Sequence, residues 1–144
     1  MLQLIPIDID YDITKHIEEP LRSTLEATIA FMKTVHAVPP WISYLAKQNG
    51  EFVGICSFKG ISQNNRVEIA YFTFPDHEHN GYGTEMCKSL IEIARASHPT
   101  MTITACTLPE ENASTRILRK NGFVFTKMSI DDEAGEVFEW HHAI

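Results

Sequence analysis

The order of apolar and polar residues along the chain predicts seven short strands and three helices. Strands are indicated by runs rich in β-branched, aromatic and aliphatic residues that end at glycine, proline or asparagine. Asn49-Gly50 lies between two such runs and is the strongest short signal for a β-hairpin. Further turns are predicted at 64–65 and at 131–135. The predicted strands span residues 2–7, 41–48, 51–58, 66–74, 101–108, 123–130 and 136–141.

The helices are indicated by apolar residues three or four positions apart. The first is predicted to begin at Glu19-Pro20, because proline suits the first helical position, and to end before Pro39-Pro40. The second spans residues 82–97. The third lies between Asn112, which can cap it, and Asn121, with Gly122 in the left-handed closing conformation. The first two apolar faces consist of Leu21, Leu25, Ile29 and Met32, and of Met86, Leu90, Ile93 and Ala94.

The resulting element order is β-α-β-β-β-α-β-α-β-β. This order indicates a mixed, largely antiparallel sheet with an α/β layer architecture. The helices are expected on its faces. The fold class is therefore α/β (α+β), and residues 1–144 are expected to form a single domain because no linker or repeat interrupts them.

Composition and charge narrow the classes of partner. The formal net charge is -7, so a nucleic-acid binder or a polybasic membrane binder is not expected, because phosphate contacts are made mostly by clustered lysine and arginine. No apolar run is long enough to span a bilayer, and the first residues do not resemble a signal peptide. The three cysteines form no C-x-x-C pair, which favours buried, reduced thiols and a cytoplasmic protein.

The stretch "PDHEHNGYGTEM", residues 75–86, leads from a predicted strand through two glycines into a predicted helix. The first-turn N–H groups of a helix can bind a phosphate, and glycine lets the backbone approach it closely. Backbone amides can hold a pyrophosphate without the lysine or arginine that this loop lacks. A P-loop is excluded because the pattern G-x-x-x-x-G-K-[ST] is absent, and a dinucleotide motif is excluded because Met86 occupies the position of its third glycine. A plain structural turn is the alternative.

Four segments together resemble the GNAT superfamily of N-acetyltransferases. The loop "EHNGYG" resembles the family's acetyl-CoA loop, Q/R-x-x-G-x-G/A, and "VEIAYFTFPD" resembles its central strand. The segment "TLPEENASTRILRKNGF", residues 107–123, and the terminal "GEVFEW" resemble the Rim-type, ribosomal-protein acetyltransferase-like branch. The resemblance covers residues 41–140, and the first 40 residues only by element order. It implies the GNAT fold and acetyl-CoA as cosubstrate, with no metal.

Two acidic residues depart from this pattern. Glu78 occupies the Q/R position, and Glu111 stands where asparagine is usual, with Asn112 one place late. A like-charge contact at about 4 Å would cost roughly 4 kcal/mol at an effective dielectric constant of 20. Each side chain is therefore expected to point away, to pair, or to weaken binding of coenzyme A. His77 and His79 could offset part of the charge when protonated, and they lack further ligands at metal spacing.

The resemblance also implies a catalytic glutamate on the central strand, and Glu68 is the candidate general base. Strand alternation places it on one face with Ala70, Phe72 and Phe74. The alternative is a structural carboxylate paired with Arg66 or with a lysine of a neighbouring strand. Ser114 matches a serine near the thioester sulfur in the Rim-type branch, where it would act as acid or contact coenzyme A. Alternatively, Ser114 has only a structural role, as a residue of the first helical turn whose side chain hydrogen-bonds to its own backbone.

The remaining candidate residues would hold the cosubstrate. The family likeness implies that the backbone of Phe72, Thr73 and Phe74 pairs with the pantetheine arm as an added strand would. Ordinary strand pairing is the alternative, because only a splayed strand leaves these groups free. Asn112 is expected either to cap a helix or to contact pantetheine. The expected pyrophosphate contacts are His79, Asn80, Gly81, Tyr82, Gly83 and Thr84, with packing favoured for Tyr82.

The sequence therefore favours an acetyl-CoA-dependent N-acetyltransferase that acts on a primary amine of an unidentified acceptor. The acceptor could be a protein N-terminus or a small-molecule amine, and residues 20–40 would form one wall of its site by analogy with the family. A homodimer is also expected, since dimers are common among the proteins it resembles. The alternatives are a catalytically silent coenzyme A-binding module on the same fold and a binding protein for another phosphate ligand.

Overall fold

The computed structural model describes residues 2–15, 18–60 and 63–142, which form one seven-stranded sheet and three α-helices. The strand order is β1-β2-β3-β4-β5-β7-β6. The elements are β1 (Gln3–Pro6), α1 (Leu21–Thr34), β2 (Ser43–Gln48), β3 (Glu51–Phe58), β4 (Arg66–Thr73), α2 (Tyr82–Ser97), β5 (Thr102–Thr107), α3 (Ala113–Lys120), β6 (Phe123–Asp131) and β7 (Gly135–His142).

The element order and fold class predicted from the sequence are confirmed. The Asn49-Gly50 turn joins β2 to β3 with both residues at positive φ, and Gly122 ends α3 at a φ of 85°. Two single turns of 3-10 helix, Ile13–Lys15 and Pro75–His77, were not predicted, because a three-residue turn has no periodicity to detect. None of the described helices combines the length and apolarity that crossing a bilayer requires.

Helices lie on both faces of the sheet. Thr28 of α1 lies over the face that carries Ala70 of β4. Gly83 of α2 lies against the opposite face, where a Cβ atom at this position would be 3.7 Å from Oγ1 of Thr73. Leu25, Ile29 and Met32 of α1 are buried, as their spacing predicted. The core thus fills the space between the sheet and the helices on both of its faces, and it fixes α2 against the carboxyl end of β4.

The parallel pair at the centre of the sheet is short. All other neighbouring strands are antiparallel, but β4 and β5 are joined through α2 and run parallel. Their pairing begins at Arg66–Thr102 and ends at Glu68–Thr104, although β4 continues to Thr73. The two strands therefore separate after Glu68 and leave an opening in the sheet.

Candidate active site

The opening between β4 and β5 exposes alternate backbone groups of β4. The backbone carbonyl of Glu68 accepts a hydrogen bond from the N–H of Lys59, the residue that follows β3 (2.8 Å), and the N–H of Phe74 donates to the carbonyl of Val53 (2.9 Å). Between these two points the antiparallel alternation directs the backbone groups of even-numbered residues towards β3. Those of Tyr71 and Thr73 are directed towards the side that β5 has left.

The three residues expected to pair with pantetheine differ in the direction of their backbone groups. Thr73 has its backbone on the open side, as the prediction requires. The backbone of Phe72 is directed towards β3. Phe74 uses its N–H in the bond to Val53 and its carbonyl in accepting from the N–H of His77 (2.8 Å). Tyr71, which sequence reasoning missed, has the required orientation.

A groove of about 550 Å³ extends from this opening. It is bounded by the end of β4, by the loop and first turn of α2, and by the exposed side of α3. Ser114 lies on its wall, as do five of the six residues expected to contact pyrophosphate. Those five are His79, Gly81, Tyr82, Gly83 and Thr84. The loop and the start of α3, which are far apart in the chain, thus line one groove.

The loop holds its shape through local geometry. Gly81 is the N-cap residue of α2 at a φ of 80°, and His79 has a φ of 66°. The side-chain amide of Asn80 donates to the carbonyls of His77 (3.1 Å) and Glu78 (3.2 Å), so this predicted contact residue stabilises the loop from within. The amides of the first turn of α2 border the groove, where a helix favours an anion.

Gly83 serves helix packing as well as the loop. A Cβ atom at this position would lie 2.7 Å from Cδ1 of Ile117, so α2 and α3 approach each other closely here. The side-chain amide of Asn121 donates to the carbonyls of Thr84 (3.3 Å) and Ile117 (3.0 Å). These contacts fix α3 beside the first turn of α2.

Two cations that sequence reasoning missed lie on the groove. Arg116 and Lys120 of α3 line it, so the positive charge absent from the loop comes from another element. Their spacing of four residues, which places both on one helix face with Ala113, is the signal that could have revealed them. Arg119 lies on a different side, where its guanidinium carbon is 5.2 Å from the centre of the Trp140 ring.

The two unexpected acids differ in position. Both carboxylate oxygens of Glu111 lie 2.6 Å from Nη1 of Arg119, and Oε1 also accepts from the Thr115 hydroxyl (2.7 Å). These hydrogen bonds lower the pKa of Glu111, and the bond from Arg119 has the largest effect. Glu111 is thus paired and faces away from the groove. Glu78 lies on the groove wall, so one carboxylate does accompany the two cations.

The two candidates at the start of α3 have different partners. Oδ1 of Asn112 accepts from the N–H of Thr115 (3.1 Å), so Asn112 is a helix cap, which was one of its two expected roles. The lining of the groove begins at Ala113 on this helix and does not include Asn112. The carbonyl of Ser114 accepts from the hydroxyl of Tyr71 (3.2 Å), which joins β4 to α3 across the opening. Burial raises the pKa of Tyr71, so this hydroxyl stays protonated.

Glu68 stands at the last paired position before the strands separate, on the opposite face of β4 from Tyr71. Its Oε2 lies 3.2 Å from Nζ of Lys59, while Arg66 pairs with Glu139 at the same distance. The alternative role of a structural ion pair is therefore present, with Lys59, which directly follows the neighbouring strand β3. The Glu68 side chain remains 32% exposed, so solvent or a substrate can reach it.

The cysteines are not activated. Burial, the largest cause, and the charge of Glu68 raise the pKa of Cys106 to about 11, so its thiol is protonated at neutral pH. Cys56 and Cys87 are buried as expected, but Cys106 is partly exposed because it lies in β5 just beyond the last residue paired with β4. Across residues 2–15, 18–60 and 63–142, no three His, Cys, Asp or Glu side chains are grouped so as to hold a metal ion.

Comparison with known proteins places this geometry in a family. Residues 5–124 match the family model described as an acetyltransferase (GNAT) domain. An uncharacterized N-acetyltransferase of Bacillus subtilis (strain 168), YoaA, is 30% identical over 74 residues, which are 51% of this chain and 42% of that protein. The aligned segment thus spans less than half of that relative.

Solved structures share the fold at low identity. RimL, a ribosomal-protein alpha-N-acetyltransferase in complex with coenzyme A, superposes with a TM-score of 0.72 at 16% identity, over 99% of this chain and 94% of that one. A chimera of Vibrio cholerae spermidine N-acetyltransferase SpeG and hSSAT gives 0.70 at 12% identity, over 98% and 94%. The neighbours thus include the Rim-type branch that the motifs resemble. From the family match over residues 5–124, supported by this shared fold, the chain belongs to the GNAT acetyltransferases, a family of acyltransferase enzymes.

Proposed function

We propose that this protein transfers the acetyl group of acetyl-CoA to a primary amine by direct attack on the thioester. The single observation that carries the proposal is the groove at the opening of the sheet. It joins the free backbone side of β4, the amino end of α2 and the cations of α3 in one continuous surface. A pantetheine arm and a pyrophosphate need these three environments in succession.

In the proposed complex, the amides of the loop before α2 and of its first turn hold the pyrophosphate. Arg116 and Lys120 balance the phosphate charge, and they outnumber Glu78, the carboxylate on the same groove wall. The pantetheine amides pair with the backbone of Tyr71 and Thr73. Ser114 then lies near the thioester sulfur, as the family resemblance implies.

The reaction requires deprotonation of the amine, stabilisation of an oxyanion and departure of a thiolate. Glu68 accepts the proton of the ammonium group, directly or through water. The amine nitrogen then bonds to the thioester carbonyl carbon, and a backbone N–H on the open side of β4 donates to the oxyanion. When the carbon–sulfur bond breaks, the positively charged nitrogen of the adduct loses its second proton and the departing thiolate gains one. Ser114 either supplies that proton or positions the sulfur.

The acceptor would approach from the α1 face of the sheet, where Glu68 lies. Ala27, Thr28 and Phe31 of α1 border a shallow depression there together with Ala70 of β4. The net charge of -7 favours a cationic acceptor. Two of the structural neighbours are named for a protein α-amine and for spermidine, acceptors that share only an amine. The proposal for this chain therefore specifies the amine and leaves the rest of the acceptor open.

A thermal-shift titration tests the groove directly. Acetyl-CoA and coenzyme A at about 100 times their dissociation constants should stabilise the protein by about 2.7 kcal/mol, which corresponds to roughly 5 to 10 °C at this size. ATP at the same concentration should give a much smaller shift. No shift with acetyl-CoA at about 1 mM would contradict the proposal and favour a site disabled by Glu78.

Gly81→Ala is expected to weaken coenzyme A binding roughly tenfold or more. Alanine at the φ of 80° is strained, by about 1–2 kcal/mol, and the methyl group is added on the groove wall. Gly50→Ala is the matched control, because Gly50 has a φ of 82° and nothing within 4 Å of the added carbon, as at Gly81, but lies in the β2–β3 turn. Isothermal titration should show weaker binding only for Gly81→Ala; equal affinities would argue against a phosphate at this loop.

A further inference from the structure

The two edges of the sheet are protected to different degrees. β1 is four residues long and ends in Pro6, two features that discourage pairing with another strand. β6 is nine residues long and contains no proline. In the part of the chain that the structure describes, β7 is its sole neighbour, so one side of its backbone is available. Lys127 and a β-bulge before it protect this edge only in part, so the stretch after the bulge can be a template for another strand.

β6 is also unusually apolar for an exposed strand. Val124, Phe125 and Met128 are 56%, 49% and 50% exposed, and Ile130 is 73% exposed. Phe125, Met128 and Ile130 lie on the α3 face, opposite Trp140, Phe138 and Glu136 of β7. α3 ends at Lys120 and buries Trp140, but it leaves this outer part of the face uncovered. A cluster of large exposed apolar side chains marks an interaction surface.

The regular part of this edge is symmetric. A β-bulge between Phe125 and Lys127 interrupts the strand at one end, and the turn after Asp131 ends it at the other. The midpoint of the regular stretch, residues 127–131, is Ser129. Its two ends carry opposite charges, since Lys127 and Asp131 lie two residues from the centre on either side. A strand of this pattern is complementary to a second copy of itself running in the opposite direction.

We propose that the β6 strands of two copies pair antiparallel about a two-fold axis at Ser129, which joins the two sheets into one. In this register Lys127 lies opposite the partner's Asp131, and Met128 lies opposite the partner's Ile130. A register centred on Lys127 would instead oppose two like charges, which destabilises a strand pair. Asp131 is held in place for this contact, since Oδ2 accepts from the N–H groups of Glu133 and Ala134 (3.0 Å each).

The charge and apolar patterns favour a second copy over another protein. An unrelated strand would need its own acidic and basic residues at matching positions. A second copy supplies them by symmetry, because each isologous contact occurs twice. The contact is independent of the chemistry in the groove, so it does not rest on the proposed acetyl transfer.

A cysteine at the axis tests the register. In the proposed pair the two Ser129 Cα atoms would be about 4.5–5.5 Å apart, within reach of a disulfide. Ser129→Cys should therefore give a covalent dimer under mild oxidation. Val124→Cys is the matched control, since this exposed residue lies on the same strand but ten positions from its counterpart in the partner, about 33 Å along the strand. The unmodified protein controls for the native cysteines.

Sedimentation velocity from about 1 μM to about 1 mM tests the surface itself. The unmodified protein should dimerise, and Ile130→Lys should raise the dissociation constant of the dimer about tenfold or more. Val38→Lys, at an apolar residue of 53% exposure outside β6, should leave it unchanged. A monomer throughout this range would overturn the proposal. So would a dimer that survives Ile130→Lys, or equal crosslinking of Ser129→Cys and Val124→Cys.

Discussion

Replacing Glu68 with glutamine is expected to lower kcat for acetyl transfer by about 10²–10⁴-fold and to leave the dissociation constant of coenzyme A unchanged. Glutamine keeps the size of the side chain but cannot accept the proton of the acceptor ammonium. Glu68 is outside the wall of the groove that we propose to hold coenzyme A, which explains why binding should not respond. Single-turnover rates and isothermal titration on the same preparation separate the two quantities.

Lys59→Gln provides the matched control for this variant. It breaks the same ion pair, which is partly exposed and worth only about 0–1 kcal/mol, but it retains the Glu68 carboxylate. If Glu68 is the base, Lys59→Gln should keep kcat within about tenfold of the unmodified protein while Glu68→Gln loses far more. Similar small losses in both variants would mean that the carboxylate has only the structural role of pairing with Lys59.

Charge reversal on α3 is the second change with a large expected effect. Arg116→Glu and Lys120→Glu should each raise the dissociation constant of coenzyme A about 10- to 100-fold, because hydrogen bonds to charged groups contribute about 1.5–3 kcal/mol. The loss should shrink as salt is added, since these side chains are exposed. Titration with coenzyme A and with 3′-dephospho-coenzyme A shows which phosphate each cation serves.

Lys88→Glu is the control for a general effect of charge. Lys88 is an exposed residue of α2 that lies outside the groove wall, so the same change in net charge should leave affinity nearly unaffected. If Lys88→Glu weakened binding as much as Arg116→Glu, long-range repulsion would account for the result. If neither α3 variant changed affinity, the phosphates would be held by the loop amides alone.

The sequence by itself determined the elements of this protein and the local geometry of its loop. The Asn49-Gly50 hairpin, the Asn112 cap and the closing Gly122 were all predicted correctly. These features depend on the dihedral angles and hydrogen bonds of residues a few positions apart, which residue type constrains strongly. The family motifs likewise placed the glycine loop and Ser114 in one groove, because they carry positions from several elements at once.

The tertiary structure decided which side chains and backbone groups reach the site. The separation of β4 from β5 after Glu68 gives Tyr71 and Thr73 an open backbone side, whereas Phe74 is bonded within the protein. The packing of α3 brings Arg116 and Lys120 to the groove and lets Arg119 pair with Glu111 outside it. Strand register and helix orientation arise from contacts between residues far apart in the chain, and residue type at one position does not fix them. The same holds for the exposed edge at β6, which exists because no other described element covers it.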